Sequence, residues 1–133
     1  MSDECQAKDP STCRVHGNKP PQKMAPAKAR ELLERGIEVT DRKGRKIHFG
    51  KRLMAHYEGK PEADVNGRLA SLEYALDAVR TVEPIHHPRG MADRDLYVKP
   101  IPGTNRSILV LVDTTSDTVY EVFDVYRKRQ KKA

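Results

Sequence analysis

Residues 107–113 read Ser-Ile-Leu-Val-Leu-Val-Asp, five apolar side chains in a row with a polar residue at either end. Side chains along a strand alternate between the two faces of a sheet, so a strand that is apolar at every position is expected to be central and covered on both sides. The rest of the chain is polar: 33% of its residues are charged, Trp is absent and Phe occurs twice, and the mean hydropathy is -0.76. The core must therefore be economical, built from Leu, Val and Ile, and confined to part of the chain. At 133 residues that chain is long enough for one domain of ordinary size.

Other elements can be placed around this strand. Ala27-Lys-Ala-Arg-Glu-Leu-Leu-Glu-Arg-Gly36 joins strong helix formers to a glycine stop. In residues 37–49, Ile37 and Val39, then Ile47 and Phe49, alternate with polar residues on either side of Asp-Arg-Lys-Gly, the pattern of a hairpin with one apolar face. A short helix around Leu53 and His56 ends at Gly59. Val65, Leu69, Leu72, Leu76 and Val79 recur at steps of four, three, four and three, which predicts one long helix from about Ala63 to Arg80. Leu-Tyr-Val-Lys-Pro at 96–100 and the segment 118–126 complete a C-terminal meander. The expected fold is α+β, with N-terminal helices on one face of a four-stranded antiparallel sheet.

Charge is distributed unevenly. The last seven residues, Arg-Lys-Arg-Gln-Lys-Lys-Ala, carry five bases and no acid, whereas the body balances its bases against its acids. A basic C-terminal tail at 127–133 attracts polyanions or, equally, serves as a solvated terminus. Residues 1–26 hold four prolines and few large aliphatic residues, so they are expected to form a flexible leader, leaving 27–126 as the domain. Cys5, Cys13 and His16 in that leader supply three ligands suited to zinc but lack a fourth at a standard interval. Two reduced cysteines are the preferred reading, and no cofactor is expected. With no apolar run of membrane-spanning length and no secretion signal, a cytoplasmic protein is expected.

Five histidines are the main carriers of chemistry. His48 falls on the polar face of the hairpin and is expected to be a solvent-exposed strand residue. His56 sits at the polar edge of the short helix, four residues before Lys60. His86 and His87 lie between prolines, in Pro84-Ile-His-His-Pro-Arg-Gly90, and Arg89, Arg94 and Lys99 follow within a few positions. Imidazoles that move protons, with cations that hold phosphate charge, form an inventory for metal-free RNA cleavage. A surface turn is the rival reading of each residue taken singly. Zinc at His86 and His87 is disfavoured, because adjacent side chains in an extended loop point apart.

From Ile47-His-Phe through Leu-Met-Ala-His56-Tyr and Leu-Tyr97-Val-Lys99-Pro to Val-Phe-Asp-Val-Tyr126, the order of elements resembles phage-associated members of the barnase, EndoU, colicin and RelE-like nuclease superfamily. The likeness covers roughly residues 37–126 and is one of pattern. It implies a RelE- or barnase-like fold and a metal-independent endoribonuclease, a phage or mobile-element effector acting on RNA, with an antitoxin, immunity or host protein as its partner. It implies catalytic roles for His56, Tyr97 and Lys99 and substrate contacts from Thr115, Ser116 and Tyr126. Chemistry alone adds His86 and His87 as catalytic groups, with Lys60, Arg89, Arg94 and Arg127 as phosphate contacts. The alternative is a noncatalytic accessory protein that binds nucleic acid or a host protein through the basic tail.

Overall fold

The computed structural model describes residues 21–116 and 118–130, so Cys5, Cys13 and His16 lie outside the described residues. Helix α1 (Pro26–Arg35) opens on a proline, whose missing N–H is no loss at a helix start, and stops at Gly36. The hairpin β1 (Ile37–Thr40) and β2 (Lys46–Phe49) follows. Asp41 shapes its turn by accepting the backbone N–H groups of Lys43 and Arg45 at 3.0 and 2.8 Å. Next come α2 (Lys51–Tyr57), α3 (Glu62–Leu69), α4 (Leu72–Thr81), the two-residue β3 (Ile85–His86), a 3-10 turn at Pro88–Gly90, and the strands β4 (Arg94–Pro100), β5 (Arg106–Asp113) and β6 (Tyr120–Arg129).

The fold is α+β, but the sheet is larger than the expected meander. Among the described residues it has six strands in the order β1-β2-β6-β5-β4-β3. The meander β4-β5-β6 is antiparallel, and the hairpin joins it because β2 pairs parallel with β6 at Ile47 opposite Tyr120 and His48 opposite Glu121. The segment 127–133 is not wholly a tail, since Arg127, Lys128 and Arg129 extend β6 opposite Ile108, Ser107 and Arg106.

The expected long helix is two. Gly67 weakens the helix interior, and the Ser71 hydroxyl donates back to the Gly67 carbonyl at 3.1 Å, competing with the helical ladder. The Ala70 carbonyl at the break accepts the Met24 N–H at 3.0 Å. The periodicity survives the break because Val65, Leu69, Leu72, Leu76 and Val79 are all buried.

One face of the sheet carries the core. Val39, Ile47, Phe49, Tyr97, Ile108, Val110, Val112, Val122 and Val125 pack there with Leu33, Leu53 and Leu69 from the helices. The opposite face has Leu96, Val98 and Leu111 only half-buried, and Leu109 stands outside the main core cluster. Within β5 itself Ser107, Leu109 and Asp113 on that second face are nonetheless buried, so this interior strand is covered on both sides along most of its length, as expected. No helix among them is long and apolar enough to cross a membrane.

Candidate active site

The site begins with an irregularity in β6. Val112 pairs with Val122 but Leu111 pairs with Asp124, so Phe123 is an extra residue without a counterpart on β5. Residues three apart on a regular strand point to opposite faces, whereas a bulge returns them to the same one. Glu121 lies opposite Asp113 and Asp124 opposite Leu111, two positions apart on β5. The bulge thus places the carboxylates of Glu121, Asp124 and Asp113 on one face, opposite the one that carries the core cluster, and gives Phe123 a half-exposed place among them.

Helix α2 delivers the cations. Leu53 and Tyr57, four apart, are buried, and the Tyr57 hydroxyl donates to the Val125 carbonyl at 2.9 Å, fastening the helix to β6. Burial, aided by the Asp124 charge, pushes that phenol well above its ordinary range. Arg52 and His56, also four apart, occupy another side of the helix. The His56 ring packs on Phe123 with centroids 4.6 Å apart, and its Nε2 lies 3.2 Å from Asp124 Oδ2. Arg68 of α3 reaches the other oxygen of Asp124 at 2.8 Å and lies near the Tyr126 ring, 6.0 Å from its centroid.

Two guanidinium groups flank Phe123: Arg52 at 5.6 Å from the ring centre and Arg94 at 4.8 Å. Both pair with the buried Asp113, Arg94 at 3.3 Å. Burial raises the Asp113 pKa, but the Thr115 N–H and hydroxyl, at 3.0 and 2.7 Å, together with Arg52, outweigh it and hold the carboxyl below the usual range.

Of the residues singled out from sequence, the structure gathers His56, Arg94, Thr115 and Tyr126 here. It takes Tyr97 and Lys99 elsewhere. Tyr97 is fully buried on the core face, donating to Asp41 at 2.7 Å and accepting from Arg45 at 3.0 Å. Lys99 is bound to Asp77 and Thr81 of α4 at 2.6 and 2.8 Å. His86 joins the Tyr97 network: its Nδ1 lies 3.0 Å from Asp95, which Arg45 also contacts, and Lys43 donates to its Nε2 at 2.7 Å. His87 is exposed with a left-handed backbone, φ 53°, at the entry to the turn that contains Arg89.

Lys60 lines a separate groove with Arg30 and Lys51. Ser116 hydrogen-bonds locally to Thr118, and the Arg127 guanidinium lies against Gly67. Of the five residues given catalytic roles, only His86 and Tyr97 therefore share a cluster; His56 stands with Phe123 and Asp124, Lys99 is held by α4, and His87 joins neither group. The physical reason is alternation: Asp95, Tyr97 and Lys99 point to the core face of β4, while Arg94 points to the other.

Sequence reasoning missed Arg52, Arg68, Phe123, Asp113 and Asp124. Two signals were available. Arg52 precedes His56 by one helical turn, and the buried Val122 and Val125 stand three apart where an uninterrupted strand would space them by two. Among the described residues no group of three or more His, Cys, Asp or Glu is placed to hold a metal ion. No family model, curated protein or solved structure matches this chain.

Proposed function

We propose that this chain is a metal-independent endoribonuclease working through His56. The observation that supports this most is the His56 ring lying on Phe123 beside Asp124, with Arg52 and Arg94 against the same ring. A carboxylate at Nε2 favours the proton on that nitrogen, leaving Nδ1 to accept one from a ribose 2′-hydroxyl. Each guanidinium has five donors, so Arg52, Arg68 and Arg94 keep donors for phosphate oxygens while paired to Asp113 and Asp124. Phe123 and Tyr126 offer rings on which an unpaired base can stack. The reading also draws on the resemblance of the sequence pattern to the barnase, EndoU, colicin and RelE-like superfamily, of whose implied catalytic residues His56 stands in this site and Tyr97 and Lys99 do not.

The test is cleavage of a mixed-sequence RNA by purified protein in EDTA. The expected products carry 2′,3′-cyclic phosphate ends, and His56→Ala is expected to lower the rate by about 100-fold to 10,000-fold with folding unchanged. One observation favours a second reading, a noncatalytic RNA binder: each of the three arginines already has a carboxylate partner that phosphate could replace. In that case RNA is bound without being cut, and binding weakens steeply with salt.

A further inference from the structure

His48 sits beside the proposed site, in a slot kept open by two glycines. A Cβ on Gly36 would lie 2.6 Å from its Nε2, and one on Gly50 would lie 2.5 Å from its Cε1. Gly36 needs its freedom anyway, at φ 88°. Gly50 does not: its φ of -168° is extended backbone, so the missing side chain there makes room for the imidazole. The ring is half-buried rather than solvent-exposed, and Glu121 Oε2 lies 2.8 Å from its Nδ1. Its Nε2 lies towards Gly36, and the residue lines a groove together with Lys51, Arg35 and Arg52.

Two imidazoles therefore rest on carboxylates of β6, His48 on Glu121 and His56 on Asp124, with Arg52 reaching both neighbourhoods. On a regular strand Glu121 and Asp124 would face opposite ways. The bulge at Phe123 aligns them and sets them opposite residues two apart on β5, a separation of about 7 Å along the sheet. We propose that His48 is the second proton-transfer group of this site, donating to the leaving oxygen of an RNA phosphodiester held over Arg52. The inference rests on the nuclease reading above.

The step balances without a further reactant. The 2′-oxygen forms a bond to phosphorus as its proton passes to His56. The bond from phosphorus to the 5′-oxygen breaks, and that oxygen takes the proton from Nε2 of protonated His48. The products are a 2′,3′-cyclic phosphate and a 5′-hydroxyl, and proton exchange with water resets both rings. Glu121 acts as a positioning residue, holding Nδ1 and leaving Nε2 to donate.

A general acid is needed only when the leaving group is poor. The experiment compares an RNA dinucleotide with a nucleoside 3′-(4-nitrophenyl phosphate), whose phenolate departs without protonation, using wild type, His48→Gln and Glu121→Gln. His48→Gln is expected to slow the dinucleotide by about 100-fold or more and the aryl ester by less than about threefold. Glu121→Gln, which keeps the ring should the first variant fold poorly, is expected to show the same split at smaller size. Equal losses on both substrates, or none on either, would overturn the role of His48 while leaving His56 in place. A wild type that cleaves neither substrate would overturn both proposals.

Discussion

His56 and His86 each stand beside an aspartate, yet their surroundings differ in kind. His86 has both ring nitrogens engaged, Asp95 on one side and the Lys43 ammonium on the other. Its aspartate also holds Arg45, which ties Asp41 and Tyr97 into the same buried network. His56 has a carboxylate at one nitrogen, an aromatic ring beneath it and guanidinium groups around that ring. A general base needs a lone pair facing substrate, and an imidazole already accepting from lysine lacks one. The first cluster joins the hairpin turn to β3 and β4; the second lies along β6.

The contrast breaks most readily at Arg45. Arg45→Met strands the buried carboxylates of Asp41 and Asp95 and is expected to cost about 3–5 kcal/mol in urea unfolding, with cleavage per folded molecule unchanged. Tyr97→Phe removes one hydroxyl between Asp41 and Arg45 and is expected to cost about 1–3 kcal/mol, again without a change in rate. Loss of cleavage in either variant at full folding would join the two clusters functionally.

Acid sharpens the comparison further. Burial raises the Asp41 pKa, but the Tyr97 hydroxyl and the backbone N–H and guanidinium of Arg45 outweigh it, and the folded carboxyl lies below its ordinary value. The stability it contributes is fully present above the unfolded pKa of about 4 and is lost as pH falls through the lower folded value. The stability gap between wild type and Asp41→Asn is therefore expected to shrink as urea midpoints are measured from pH 6 towards pH 2. The smallest effect is expected at Lys99, partly exposed in its pair with Asp77: Lys99→Met should change stability by less than about 1 kcal/mol and leave cleavage unaltered.

The elements with local causes could be read from the sequence. Helix α1, the hairpin, the apolar periodicity of α3 and α4, and the strand at 107–113 all follow from spacing and turn chemistry. The parallel pairing of β2 with β6 could not, because it joins residues 47 and 48 to 120 and 121, and nothing local in either segment specifies it. That pairing is what puts Glu121 beside His48. Tyr97 and Lys99 misled for a related reason: alternation places them on the same face of β4, and only the helices decide that this face is interior. The site at Phe123 depends on one unpaired residue, a small departure in the valine spacing that becomes legible once the partner strand is known.

The most direct measurement of which cluster acts is a single-turnover RNA cleavage assay on His56→Ala and His86→Ala side by side, each with its melting temperature. Loss of at least about 100-fold in the first, with a rate within about threefold of wild type in the second, is the predicted result. The reverse ordering in two folded proteins would contradict it.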